Sequence, residues 1–202
     1  VIHHLGEESA TIVGHDWGGI VAWNVALFTP EMVDKLIILN MPHPNGIVQA
    51  LRNNPKAMAG TTYRKAFRGG APDDPEIILG NPMTSQILSG WVKDAEAKLK
   101  YIEAFDRSDF MAMLNYYKQN FTDVWSDDNF DFLTAPKIAI STLIFHGLDD
   151  NYVHSDGLNN NWDWIDKDLT IVTVPGSGHF VQQDAAKLVT TTIRSWLDAR
   201  RR

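Results

Sequence analysis

The chain has neither cysteine nor a long apolar run, and both absences narrow what it can be. Without cysteine among its 202 residues, it has no disulfide framework and no thiolate chemistry. This composition fits a reducing compartment and predicts a cytoplasmic location. No stretch reaches the roughly 20 apolar residues that span a membrane, and no signal-peptide pattern is visible. We therefore expect a globular protein with no membrane partner.

Positive charge is also scarce. The chain has 25 acidic against 18 basic residues, for a formal net charge of -7. A surface of this sign does not favour nucleic acid or anionic lipid as a partner. The seven histidines show no metal-ligand spacing, and no glycine-rich phosphate loop is present. The sequence therefore predicts no metal site.

Strand-like and helix-like segments alternate along the chain, which is typical of a parallel sheet. Short aliphatic runs predict four strands, at Ala10–Val13, Lys35–Leu39, Ser141–Phe145 and Leu169–Val174. Apolar spacing predicts helices at Trp17–Phe28 and Phe180–Arg201. Between these halves the spacing is helical only. We therefore expect a core of residues 1–43 and 134–202, interrupted by a helical lid of residues 44–133.

The most informative stretch is Ser9–Trp23, which reads SATIVGHDWGGIVAW. It predicts a strand, a sharp turn and a helix, in the G-x-S-x-G form of a nucleophile elbow with Asp16 at the serine position. A carboxylate is ionised at neutral pH, so it needs no base to attack an alkyl carbon. The product would be an ester that water must then cleave. The alternative is that Asp16 only caps the helix.

A histidine suited to that second step follows the last predicted strand. His179 lies in PGSGHF, where the flanking glycines let the loop carry an imidazole towards the elbow. A neutral histidine there could activate the water that cleaves the ester. The alternative is an ordinary histidine in a surface loop.

The segment GHDWGG resembles the nucleophile elbow of the α/β-hydrolase-fold epoxide hydrolases, whose close relatives are the haloalkane dehalogenases. The resemblance extends over nearly the whole chain. It implies an α/β-hydrolase fold, with a partial parallel sheet and an inserted helical lid. It also implies hydrolysis of epoxides to vicinal diols through an Asp16 ester, without a cofactor. The partners would be a small apolar epoxide and water. A haloalkane dehalogenase using the same Asp-His-Asp machinery is the alternative.

The resemblance also indicates the acid that orients His179. The segment GLDD at residues 147–150 resembles the family's G-x-x-D, whose aspartate stabilises the charged histidine. The spacing selects Asp150, and Asp149 is the alternative. Some dehalogenases place this acid after the second strand, where this sequence has the uncharged Asn40.

Two lid tyrosines resemble those that bind the epoxide oxygen in the family. The segment NYYK at residues 115–118 resembles N-W-Y-R, and TTYR at residues 61–64 resembles the other tyrosine segment. Tyr63 and Tyr117 would donate protons as the carbon–oxygen bond breaks. Tyr116 is the alternative to Tyr117, and packing is the alternative for all three.

Trp17 and His43 are the candidate substrate-binding residues. The backbone N–H of Trp17 could stabilise an oxyanion, and its ring could form a wall of the substrate site. His43 follows Met41-Pro42 after the second strand. It either lines the substrate pocket or packs in the core.

One part of the resemblance is absent. The family's H-G-x-P segment, which donates a second oxyanion-hole N–H, has no counterpart in this sequence. The first strand would then lie at a sheet edge, with unpaired backbone groups. We therefore expect either an upstream segment beyond the given sequence or self-association through that edge. A catalytically inactive fragment or binding module remains the third functional alternative.

Overall fold

The computed structural model describes residues 1–120 and 136–201. These residues form two compact units, one of residues 1–60 with 136–201 and one of residues 61–120. The first unit is built on a parallel sheet. Its strands pair in chain order and are β1 (Ala10–His15), β2 (Val33–Leu39), β3 (Thr142–Gly147) and β4 (Leu169–Val174). The predicted strands are therefore present, and the bounds of the last one agree with the prediction.

The inner strands are buried on both faces, as their uninterrupted aliphatic runs predict. Successive residues of β2 and β3 contribute to two separate apolar clusters, one on each face of the sheet. The first cluster contains Leu36, Ile38, Ile144 and Trp23, and the second contains Ile37, Leu143, Phe145 and Trp196. Full burial of each such side chain contributes about 1.5–3 kcal/mol. The two clusters hold the strand ends, and therefore the loops that follow them, in fixed positions.

Helix α1 (Trp17–Phe28) has the predicted bounds, and it ends where Thr29-Pro30 follows. The predicted C-terminal helix is instead two helices, α8 (Val181–Asp184) and α9 (Ala186–Asp198), divided at Ala185. The physical reason is a local bond, because the Asp184 carboxylate accepts the N–H of Gly178, six residues earlier, at 2.8 Å. That bond ties the short helix to the preceding loop.

The first unit extends past residue 43, further than the expected core. It includes α2 (Pro44–Asn53) and α3 (Pro55–Ala59). A Cβ on Gly46 would lie 2.1 Å from the carbonyl oxygen of Gly157. Helix α2 therefore packs directly against the 3-10 turn Ser155–Leu158 of the same unit, which accounts for its place there. The expected second boundary, at residue 133, lies outside the described residues.

Among its described residues the second unit contains helices joined by loops, and no strand. Its helices are α4 (Tyr63–Gly69), α5 (Ser85–Leu88), α6 (Ala95–Asp106) and α7 (Phe110–Asn120). They enclose a small core of Ile77, Met83 and Leu114, on which Phe67 and Phe110 pack. Asp94 caps α6 by accepting the Ala97 N–H. The helical spacing of the sequence thus predicted this region correctly as far as residue 120.

Strand β1 lies at one end of the described sheet, as expected, and Val13 is 55% exposed. Self-association through this strand stays a prediction. No helix within residues 1–120 and 136–201 is long and apolar enough to cross a membrane.

Candidate active site

The turn between β1 and α1 holds Asp16 in a backbone conformation that few residues adopt. Asp16 has φ 50° and ψ -120°, outside the regions favoured by L-residues. A Cβ on Gly14 would lie 2.2 Å from the Gly18 carbonyl oxygen, and one on Gly19 would lie 2.8 Å from the Met41 Cβ. The close approaches therefore require glycine at residues 14 and 19. Among the described residues, a Cβ on Gly18 would meet nothing within 4 Å, so no close approach requires glycine there.

Three side chains from the ends of three strands meet in a line. The His179 Nε2 lies 3.2 Å from the Asp16 Oδ1, and the His179 Nδ1 donates to the Asp150 Oδ2 at 2.8 Å. The Asp16 side chain is 29% exposed, whereas those of His179 and Asp150 are 9% and 1% exposed. Asp16 is thus the member of the line that a ligand can reach, and the other two support it from within.

Asp150 is held at both of its carboxylate oxygens. Oδ1 accepts the backbone N–H groups of Tyr152 and Val153, at 2.8 and 3.0 Å. Oδ2 accepts from His179 and also from the Asn40 Nδ2, at 2.9 Å. Asp149, the alternative that the sequence left open, is exposed. The structure therefore brings Asp150, and not Asp149, to His179.

The His179 loop is anchored on both sides. A Cβ on Gly147 would lie 2.2 Å from the Gly178 carbonyl oxygen, so the loops after β3 and β4 touch through their backbones. The Nε2 of His15 donates to the carbonyl oxygen of His179 at 2.8 Å, and the two rings lie 5.0 Å apart. These contacts leave the imidazole little freedom to turn away from Asp16.

The electrostatics of the line favour an imidazolium between two carboxylates. Burial would lower the pKa of the His179 imidazole, but hydrogen bonds to Asp150 and Asp16 and the charges of both carboxylates raise it to about 9. Burial would likewise raise the carboxyl pKa values of Asp16 and Asp150, yet the bond and charge of His179 outweigh burial and hold both below their ordinary value. At pH 7 the line is therefore a negative, a positive and a negative group.

Trp17 and His43, the predicted substrate-binding residues, have different surroundings. The Trp17 N–H donates to the Asp16 carboxylate and contributes to its lowered pKa. Only 1% of His43 is exposed, and its ring lies between Trp23 and Trp164, with a centroid separation of 5.1 Å from each. This arrangement is the packing alternative stated for His43. A ring so enclosed offers no surface to a substrate.

The predicted tyrosines meet within the second unit. The rings of Tyr63 and Tyr117 lie 5.9 Å apart, and the Phe67 ring contacts both, at 5.1 and 4.9 Å. Tyr116, the alternative to Tyr117, is 52% exposed. The structure thus pairs Tyr63 with Tyr117.

Residues that the sequence did not single out complete the site. Asn40 contacts Asp150, Asp184 fixes the His179 loop through Gly178, and His15 fixes the His179 carbonyl group. His15 carried a sequence signal, since it adjoins Asp16 in the elbow, and Asn40 carried one as the residue at the alternative position of the acid. Within the described part of the chain, no group of three or more histidine, cysteine, aspartate or glutamate side chains could hold a metal ion.

The family model for the alpha/beta hydrolase fold matches residues 1–186, and the chain belongs to that family. Epoxide hydrolase 3 of Xenopus tropicalis is 27% identical over 98% of this chain and 55% of its own length. Epoxide hydrolase 4 of Homo sapiens is 24% identical over 98% of this chain and 56% of its own length. The chain thus spans about half the length of these curated relatives.

Solved structures that are similar to this chain are also described as epoxide hydrolases. A protein described among novel epoxide hydrolases of the alpha/beta hydrolase superfamily, from metagenomes of hot environments, has a TM-score of 0.77 at 30% identity. The match covers 96% of this chain and 69% of that one. An epoxide hydrolase of Bacillus megaterium has a TM-score of 0.81 at 21% identity, over 98% of this chain and 72% of that one, and shows the same fold.

Proposed function

We propose that the protein hydrolyses epoxides to vicinal diols through a covalent ester on Asp16. The observation that carries the proposal is the Asp16–His179–Asp150 line, in which the outermost carboxylate is accessible and is directly followed by the Trp17 N–H at the start of α1. Relatives named epoxide hydrolases support the choice of substrate class.

In the first step, an Asp16 oxygen attacks an epoxide carbon and displaces the ring oxygen. The breaking carbon–oxygen bond leaves its electron pair on that oxygen, which takes a proton. An alkoxide is a poor leaving group, so we assign this proton to the phenols of Tyr63 and Tyr117. Their mutual contact and their resemblance to the family's tyrosine segments support the assignment.

Ester formation also prepares the base for the second step. It removes the negative charge of Asp16, which is one of the two charges that raise the pKa of His179 to about 9. The pKa of the imidazole therefore falls, and the ring can lose its proton to solvent, while the tyrosinate that the first step left regains a proton from solvent. The neutral ring is then able to accept a proton from water, with Asp150 stabilising the imidazolium that forms.

In the second step, His179 removes a proton from water as the water oxygen attacks the ester carbonyl carbon. The Trp17 N–H stabilises the resulting oxyanion. The tetrahedral intermediate collapses with cleavage of the bond to the alkyl oxygen, which takes the proton of the new carboxyl hydroxyl and leaves as the diol. Asp16 returns to its carboxylate form and His179 to its imidazolium form.

A single turnover in heavy-oxygen water tests the covalent route. Because water attacks the carbonyl carbon of Asp16, the label is expected in the Asp16 carboxylate and not in the diol. Mass spectrometry of the peptide that contains Asp16 and of the product measures both. Label in the diol with none in the peptide would show direct attack of water on the epoxide and overturn the ester mechanism.

The tyrosines distinguish epoxide from alkyl halide as the substrate. We expect Tyr63→Phe combined with Tyr117→Phe to lower epoxide turnover by about 10²- to 10⁴-fold, because the leaving oxygen loses its proton donors. Tyr116→Phe is the matched control and is expected to retain the parent rate, since Tyr116 is exposed and lies outside the ring pair. Turnover of styrene oxide and release of bromide from alkyl halides are measured side by side. Bromide release without diol formation would favour the dehalogenase instead.

A further inference from the structure

We propose that Asn40 is a positioning residue. It holds the acid Asp150 and the base His179 in the relative orientation that the second chemical step requires. Asn40 follows β2, is fully buried and has a positive φ of 48°. Its Nδ2 donates to the Asp150 Oδ2 at 2.9 Å and to the carbonyl oxygen of Gly178 at 3.1 Å. One amide group thus joins the loop that follows β3 to the loop that follows β4. This inference rests on the proposed two-step hydrolysis.

The local structure indicates a role beyond packing. A left-handed backbone is unfavourable for most L-residues, and asparagine tolerates it better than most. Within the described residues the Asn40 Oδ1 is buried and has no hydrogen-bond partner. Burial of an unpartnered acceptor is unfavourable. Stability alone therefore does not account for asparagine here, whereas the two bonds of its Nδ2 group do serve the site.

Both bonds constrain His179. The Asp150 Oδ2 receives one hydrogen bond from the Asn40 Nδ2 and another from the His179 Nδ1, so Asn40 fixes the direction in which this oxygen meets the ring. Gly178 immediately precedes His179, so the bond to its carbonyl oxygen fixes the backbone that carries the ring. Without these bonds the imidazole can still approach Asp16, but its orientation towards an attacking water is less restricted.

The two steps of hydrolysis depend on this orientation to different degrees. Ester formation uses the Asp16 carboxylate, which is already charged, whereas ester cleavage needs His179 as a correctly oriented base. Loss of Asn40 should therefore slow ester cleavage selectively. When cleavage limits turnover, kcat and KM both scale with its rate constant, so they fall together and kcat/KM stays constant.

The variant Asn40→Gly tests this, because glycine adopts the positive φ freely while the amide is removed with the rest of the side chain. We expect kcat and KM to fall together by about 10- to 100-fold, as for loss of hydrogen bonds to a charged group, with kcat/KM within about twofold of the parent. Asn160→Gly is the matched control, since Asn160 also has a positive φ, of 59°, but is exposed. A fall in kcat at constant KM would mean loss of folded enzyme and would overturn the proposal.

A second variant gives a readout that needs no activity. Asn40→Asp places a second carboxyl group 2.9 Å from the Asp150 oxygen, where two like charges cannot both be accommodated. The new carboxyl should keep its proton in the folded state, so the variant should lose stability relative to the parent as pH rises from 4 to 7. Asn160→Asp, on the surface, should show a constant difference. A constant difference for Asn40→Asp as well would overturn the proposal.

The two experiments separate this inference from the proposed function. If the parent forms no labelled Asp16, the two-step hydrolysis fails, while the pH-dependent stability of Asn40→Asp still tests the contact. If the parent forms labelled Asp16 and Asn40→Gly leaves both kcat and KM unchanged, the positioning role alone is wrong.

Discussion

Two buried histidines of the first unit have opposite electrostatic behaviour. The pKa of the His179 imidazole is raised to about 9, whereas burial lowers that of His43 to about 4. Burial disfavours the charged form of both rings, so burial alone cannot explain the difference. The neighbours explain it: His179 lies between two carboxylates, while His43 lies between two indole rings.

The hydrogen bonds of His43 suit a neutral ring that shapes the fold. Its Nδ1 accepts the Asn45 N–H at the start of α2, and its backbone N–H donates to the Asn161 Oδ1. A protonated ring could not accept the first of these bonds. One histidine therefore caps a helix and fills the core, and the other is charged because two acids converge on it.

The largest expected effect comes from replacing Asp16 or His179, the two charged groups that carry out the proposed steps. Asp16→Asn should abolish turnover because an amide does not attack an epoxide carbon. His179→Gln should still form the ester but cleave it about 10⁴- to 10⁶-fold more slowly, since the base is lost. Intact-mass spectrometry with substrate should detect the adduct in His179→Gln and none in Asp16→Asn. Steady-state turnover at the parent rate in His179→Gln would contradict the two-step scheme.

The next largest effect is expected when one charged neighbour of His179 is neutralised, which makes its surroundings more like those of His43. In Asp150→Asn one of the two carboxylates becomes neutral, so the pKa of the imidazole should fall. The imidazolium formed during ester cleavage also loses its stabilising charge, and we expect a fall in kcat of about 10⁴-fold. A histidine titration followed by NMR and the rate of ester decay measure the two consequences. A rate near that of the parent would show that Asp150 is not the acid, and Asp149→Asn is the control.

Linear motifs predicted much of this site because the carboxyl ends of parallel strands meet at one edge of the sheet. Asp16 directly follows β1, and Asp150 and His179 lie in the loops that follow β3 and β4. The strands indicated the edge of the sheet, and the resemblance to the family's G-x-x-D indicated Asp150. The surroundings of His43 could not be found in this way. Its neighbours Trp23 and Trp164 belong to an early helix and to a late 3-10 turn, and nothing local to His43 indicates either.

The break between α8 and α9 has a more local origin. The helical spacing of the sequence continues through it, and a bond from Gly178 to Asp184 competes with that spacing. The contacts of Asn40, in contrast, join segments that lie more than a hundred residues apart in sequence. Contacts between such distant segments depend on which loops the fold brings together, so residue spacing and helix or strand propensity do not predict them.

The opposite pKa shifts predict that stability declines on both sides of pH 6.5. For His43 the folded pKa lies below the unfolded value, so stability is lost as pH falls from 6.5 towards 4. For His179 the folded pKa lies above it, so that contribution is present below pH 6.5 and is lost as pH rises towards 9. Each change is on the order of 3 kcal/mol, at about 1.4 kcal/mol per pKa unit. Urea unfolding between pH 4 and 9 measures the curve of stability against pH, with an acidic limb below pH 6.5 and an alkaline limb above it.

Substitution of His43 separates the two limbs. His43→Phe fills the space between the indoles but loses the helix cap, and His43→Asn keeps a capping acceptor but leaves a cavity. The two variants differ in stability at pH 7, yet neither titrates at this position. Both should therefore have a flatter acidic limb with an unchanged alkaline limb. An acidic limb as steep as that of the parent in both variants would assign it to other groups.

The smallest expected effect comes from a smaller ring in place of Trp164, one of the two indoles between which His43 lies. Trp164 stacks on His43 with an interplanar angle of 17°, so Trp164→Phe should cost about 1 kcal/mol of stability through reduced ring contact. The smaller ring also admits water to His43, which should raise its pKa towards the ordinary value and make the acidic limb shallower. Trp162→Phe is the matched control, because Trp162 lies in the same 3-10 turn but is 58% exposed. Urea unfolding at pH 7 and pH 5 measures both effects. An equal loss of stability in the two variants, with no change in the acidic limb, would show that the indole of Trp164 does not keep the ring of His43 neutral.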